Sequence, residues 1–194
     1  MKDTTKIIGA TYSDDTSGLK LDVSKQYTIQ EIYFFEAKNI TKATLKYLAK
    51  TPNKKTAPFS FEWFLKLHSE MFGDVWDWAG KLRQVELSIG VRAYLVSTEL
   101  KNLVDDLEFW DKNKTFSVVE TASRLHHRAV QIHPFKNGNG RWSRMLANIY
   151  LKQLLTNDKI IKVRIFYKCK RLFVINSIAH CSTFLFSLIT NSCP

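Results

Sequence analysis

The sequence predicts a mainly α domain carrying one β-hairpin, and three observations lead there. Apolar residues recur at helical spacing over 28–50, 60–72 and 140–155. Helix-capping residues stand at Ser60, Ser97 and Ser117. A single segment, 82–96, alternates with a period of two instead.

Each element follows from its own residues. In 28–50, Ile29, Ile32, Phe35, Ile40, Leu45 and Leu48 give the apolar stripe, and Thr51-Pro52-Asn53 ends the helix. Ser60 is the N-cap of a second helix that stops at Gly73. Val85, Leu87, Ile89, Val91, Tyr94 and Val96 alternate around Gly90, as in a hairpin. Ser97 is read as the cap of a helix to about Trp110. Ser117 and Glu120 form a capping-box pattern for a helix running to about His133. A final helix over 140–155 buries Met145, Leu146 and Ile149. The expected organisation is an N-terminal extension over 1–27, a helical domain over 28–155 and a tail over 156–194.

Length and composition narrow the class. A chain of 194 residues is sized for one main domain. Three isolated cysteines, Cys169, Cys181 and Cys193, argue against both a disulfide framework and a zinc site, and fit a reducing, cytoplasmic compartment. Met1 to Asp15 lacks the apolar run of a signal peptide, so secretion by that route is not expected. The net charge of +11 lies wholly in 121–194, where 12 basic residues face the single acid Asp158. An anionic partner is implied.

The tail differs in kind. Six basic residues cluster in 159–171, and Leu172 to Thr190 then has no Lys, Arg, Asp or Glu. Polar residues such as Asn176, His180 and Ser187 dilute that stretch, so a membrane span is not expected. The abrupt change of composition also suits a frame-shifted C-terminus.

The most informative stretch is His133-Pro-Phe-Lys-Asn-Gly-Asn-Gly-Arg-Trp-Ser-Arg144. Gly138-Asn139-Gly140 suits backbone with positive φ, and its N–H groups can converge on an anion where a helix begins. Arg141 and Arg144 share a face of that helix's first turn. Cations there oppose the helix dipole at a cost of about 0.3–1 kcal/mol each, so a bound polyanion explains them better than folding does. The tryptophans Trp63, Trp76, Trp78, Trp110 and Trp142 are read as core or flap packing. Neither a GxxxxGK[ST] nor a GxGxxG phosphate signature is present.

This stretch resembles the Fic signature, His-x-Phe-x-(Asp/Glu)-Gly-Asn-Gly-Arg-x-x-Arg, at all positions but one. Phe72-Gly-Asp-Val-Trp-Asp-Trp-Ala-Gly80-Lys-Leu-Arg83 is similar to that family's approach to its flap, so the resemblance covers roughly 28–155. It implies a Fic-like helical bundle with one β-hairpin flap, and a protein adenylyltransferase that moves AMP from ATP to a Tyr, Thr or Ser hydroxyl of a target protein. His133 is then the general base, at an ordinary pKa of about 6.5. The Gly138, Asn139 and Gly140 backbone holds the α- and β-phosphates; Arg141 binds phosphates and the leaving pyrophosphate; Arg144 takes the γ-phosphate. Phe135 packs inward, and the flap at Ile89, Gly90 and Val91 clamps the target as an added strand.

Two departures carry consequences. The family's acidic Mg²⁺ ligand is Asn137 here, a weaker ligand for a hard cation, which leaves the metal to the ATP phosphates. The family's inhibitory Ser/Thr-x-x-x-Glu-Gly/Asn, whose glutamate pairs with the second arginine, has no match. Glu36 is the nearest substitute, against the plainer expectation of a solvent-facing helix charge; a separate antitoxin-like protein is the other source of restraint. Two further readings stand beside adenylylation: a catalytically silent nucleotide-binding regulator, and a basic nucleic-acid-binding module, which the long turn at 134–139 disfavours.

Overall fold

The computed structural model describes residues 17–22 and 25–155. Five α-helices follow in chain order: α1 (Ile29–Leu48), α2 (Phe61–Phe72), α3 (Val96–Asn113), α4 (Val118–Ile132) and α5 (Asn139–Leu154). The tail over 156–194 lies outside the described residues. Among the described residues no helix is long and apolar enough to cross a membrane.

The caps explain most boundaries. Thr28 and Glu31 exchange bonds at the start of α1: Thr28 Oγ1 accepts from the Glu31 amide (3.3 Å), and the Glu31 carboxylate accepts from the Thr28 amide (2.7 Å). Ser60 caps α2, accepting from the Trp63 amide at 3.2 Å. Ser117 caps α4 in the same way. Only half of the expected box forms there, because the Glu120 carboxylate turns instead to Arg124, 2.8 Å away on the next turn. Ser97 is not a cap: a 3-10 turn over Ala93–Leu95 runs directly into α3, which starts at Val96.

Helix α5 is central, packed most heavily on α4 and also against α1 and α2. Trp142, Leu146 and Ile149 of α5 meet Leu125, Ala129 and Ile132 of α4 and Phe64, Leu67 and Met71 of α2 in one buried cluster. Trp142 also donates its indole N–H to the Phe64 carbonyl (3.1 Å), which satisfies the one polar atom it buries. α3 covers α4 through Leu100, Leu103 and Leu107.

α1 is rotated from the expected stripe. Its inner face is Ile32, Glu36, Asn39, Ala43 and Tyr47, while Leu45 is 63% exposed. Two polar side chains in that face displace the purely apolar one, because the surface they meet offers polar partners. Ahead of α1, residues 17–22 run beside 73–77: Leu19 bridges Trp76, and the Lys20 amide donates to the Val75 carbonyl at 2.8 Å.

The segment 82–92 holds no strand. It is a loop whose two arms return to each other without ladder bonds. The Arg83 guanidinium replaces the ladder, donating to the carbonyls of Val85 (2.9 Å) and Val91. The alternation read as a hairpin is therefore an exposed loop tied at its base.

Candidate active site

The turn between α4 and α5 is built from the outside in. Pro134 cannot continue α4, so the helix closes on His133, which adopts φ 54° as its C-cap. A left-handed histidine costs free energy, and such strain concentrates at functional positions. The His133 ring is partly buried and its Nδ1 lies 3.4 Å from the Val130 carbonyl. A carbonyl only accepts, so Nδ1 carries the proton and Nε2 keeps its lone pair. Burial, opposed by that hydrogen bond and reinforced by the Arg83 charge, lowers its pKa from the ordinary value.

Phe135 fixes the loop from within. It is fully buried, stacked on His68 (centroids 3.6 Å apart) and edge-on to Trp142 (5.0 Å). The Asn139 amide clamps it from both sides, accepting from the Phe135 amide (2.9 Å) and donating to the Phe135 carbonyl (2.7 Å). The Asn139 side chain is thus spent on the fold; only its backbone faces the task assigned to it.

The glycines divide. Gly138 has φ 80°, and a Cβ there would lie 2.7 Å from the Phe72 ring, so it meets both the conformational and the steric demand for glycine. Gly140 is helical, and a Cβ on it would meet only Arg144 at 3.5 Å. Its bareness leaves space over the start of α5. Asn139 and Gly140 open that helix, where amides have no intrahelical acceptor. The Gly138 amide is already taken, donating to Asn137 Oδ1 at 2.6 Å.

That bond also bears on Mg²⁺. Asn137 offers a neutral oxygen that already accepts a hydrogen bond, and among the described residues no group of three His, Cys, Asp or Glu could hold a metal.

Glu36 overturns the solvent-facing expectation. It is 3% exposed, and its carboxylate accepts from Arg141 and from the Trp76 indole (2.6 Å). Its partner is the first arginine of the signature, not the second. Arg141 also lies 4.7 Å over the Phe72 ring. Arg144 stands one turn on, beside Gly140 and facing buried His126.

The flap residues do reach His133. A Cβ on Gly90 (φ 99°) would fall 2.6 Å from the His133 Cβ. The Val91 amide donates to the Ile132 carbonyl (3.3 Å) and the Arg83 amide to the Pro134 carbonyl (2.9 Å), so the loop is fastened on both sides of His133. Ile89 is half exposed at its tip.

Sequence reasoning missed His68 and Arg83 as parts of the site. His68 is wholly buried; its Nδ1 accepts from the Gly80 amide (2.9 Å), so Nε2–H donates to the Asn137 carbonyl (3.0 Å). Burial pushes its pKa down to about 3, which keeps it neutral. A histidine on the apolar face of a helix reads as core, and only its spacing from Phe72 hinted otherwise.

The chain is similar to known proteins in sequence and in fold. It is 31% identical over 113 residues to "Protein adenylyltransferase Fic" of Aedes aegypti, covering 56% of this chain and 23% of that one. It is 30% identical over 104 residues to "Protein adenylyltransferase fic-1" of Caenorhabditis elegans, covering 51% and 20%. The chain therefore spans about a quarter of those relatives' length. Among solved structures, Fic-1 (residues 134–508) of C. elegans superposes with a TM-score of 0.55 at 26% identity, over 66% of this chain and 38% of that one. BepC of Bartonella tribocorum, solved with bound AMPPNP, gives 0.51 at 19% identity, over 64% and 69%. The family model described as Fic/DOC matches residues 58–151, from just ahead of α2 through the signature turn and into the last turn of α5, and this is the part of the chain that is similar to the Fic/DOC family.

Proposed function

We propose that this chain is a protein adenylyltransferase, moving AMP from ATP to a Tyr, Thr or Ser hydroxyl of a target protein. One observation carries the reading: an imidazole with a free Nε2 lone pair stands between a docking loop and a helix N-terminus bearing two arginines. The adenylyltransferase names of the relatives support it.

In this reading His133 Nε2 takes the proton of the acceptor hydroxyl. The oxygen attacks the α-phosphorus, the bond from that phosphorus to its bridging oxygen breaks, and pyrophosphate leaves. The amides of Asn139 and Gly140 and the helix dipole stabilise the charge that develops. Arg141 and Arg144 hold the outer phosphates. Mg²⁺ arrives with ATP as part of the substrate, its coordination supplied by the phosphates.

Glu36 acts as an internal competitor. Its carboxylate occupies Arg141, the group the triphosphate needs, so restraint is built into this chain and requires no separate inhibitory protein. The cytoplasm, which holds ATP and reduced thiols, is the compartment this chemistry suits. Nucleic acid is not a partner in this reading.

The test is incubation with lysate and ATP labelled at the α- or, separately, the γ-phosphate. Label from the α position alone, lost in His133→Ala, is expected. Label from the γ position, or α-label that survives His133→Ala, refutes the assignment.

A further inference from the structure

Arg83 carries a buried guanidinium, each of whose three nitrogens donates to a main-chain carbonyl around the proposed base. The arginine is 4% exposed. Nε donates to the His133 carbonyl at 2.7 Å, Nη1 to the Val85 carbonyl at 2.9 Å, and Nη2 to the Val91 carbonyl. Its own amide donates to the Pro134 carbonyl at 2.9 Å. One side chain therefore joins both arms of the docking loop and the backbone of the proposed base. Taking a cation out of water is costly, and a core of apolar side chains would hold a loop more cheaply. An arginine fits because its planar fork aims separate N–H groups at separated acceptors, which a lysine's single ammonium does not.

Resting on the reading of His133 as base and of the 82–92 loop as the docking loop, we infer that Arg83 is a positioning residue: it locks the loop to the base and so sets where a docked target chain lies relative to the imidazole. Gly90 supports this, because it approaches both the His133 Cβ and Arg83 Nη2 more closely than any side chain would permit. The charge has a second effect. Arg83 faces His133 from the loop and the Val130 carbonyl faces it from α4, while the Glu86 carboxylate interacts with the Arg83 charge. The guanidinium disfavours a second positive charge on the imidazole and helps to keep it unprotonated.

The experiment uses the full chain with Arg83→Lys, which keeps the charge and loses the fork, and Arg83→Met, which loses both. Three quantities are read: α-label transfer from ATP into lysate proteins, AMPPNP affinity, and the His133 ring titration by NMR, assigned with His133→Ala. Both variants should lose transfer by about 10- to 100-fold while AMPPNP affinity holds within about twofold. The His133 midpoint should move to higher pH in the methionine variant only. Retained transfer in the lysine variant, or AMPPNP affinity that falls in step with transfer, overturns the inference. If Arg83→Met does not fold, the transfer-against-binding comparison in Arg83→Lys decides. Unchanged labelling in His133→Ala would sink the base reading by itself, and the NMR titration still tests the coupling of Arg83 to His133.

Discussion

Glu36 and Arg141 lie 105 residues apart in sequence and share one buried contact, with the carboxylate also held by the Trp76 indole. Removing one partner of such a pair leaves the other charge poorly compensated. Glu36→Gln keeps an acceptor for Trp76 and removes the competing charge. AMPPNP should bind about tenfold more tightly, or roughly 1.4 kcal/mol, and self-labelling with α-labelled ATP should rise. Calorimetric titration and an autoradiograph measure the two, and unchanged values in both would remove Glu36 as a restraint.

Gly90 against His133 makes a steric prediction. Gly90→Ala puts a methyl where the His133 Cβ and the Ile132 carbonyl already stand, on backbone at φ 99°. The cost is about 1–3 kcal/mol of local strain, taken up by moving the loop away from the base. Transfer to protein should fall while AMPPNP affinity is kept.

Asn139 separates a structural from a ligand role. Asn139→Ala strands the buried amide and carbonyl of Phe135. Each costs about 1–3 kcal/mol, so the urea midpoint should drop markedly. Loss of nucleotide affinity without loss of stability would mean that the side chain serves the ligand after all.

Position 137, an amide where the family pattern has a carboxylate, tests the metal requirement. Asn137→Asp restores a carboxylate while keeping an acceptor for the Gly138 amide. The Mg²⁺ concentration giving half-maximal transfer should fall, read by titration at fixed ATP. The same requirement in both proteins would show that position 137 does not meet the metal.

The buried histidines predict acid sensitivity. His68 and His126 have folded pKa values pushed down by burial, to about 3 and about 4. Against an unfolded value of about 6.5, the unfolded chain binds more protons, so stability is full above that pH and is lost as pH falls. The slope is about 1.4 kcal/mol per pH unit for each histidine down to its folded value. Urea unfolding at pH 7, 6 and 5 checks this, and His68→Asn should flatten the dependence. The lowered pKa of His133 places the acid limb of activity below its ordinary range.

The readable parts of the sequence were those governed by short-range rules. Ser60 and Ser117 cap helices because a side-chain oxygen three residues before an amide needs no distant partner. The signature turn was legible for the same reason, since Gly138 and Pro134 dictate local backbone. Long-range partners were not. The α1 face turned because Glu36 meets Arg141 and Trp76, a pairing no periodicity records. The 82–96 alternation matched a hairpin, yet a single guanidinium took the acceptors that a ladder would have used. Ser97 looked like a cap, but a preceding 3-10 turn had already started the helix.

The carboxylate that occupies Arg141 is carried by a helix outside the matched span, which begins at residue 58. If Glu36 is the restraint proposed above, brake and engine sit on separate stretches of polypeptide, joined by the Glu36 bonds to Arg141 and Trp76 and by the packing of α1 on α2 and α5. A change confined to α1 would then free Arg141 without altering a single signature residue.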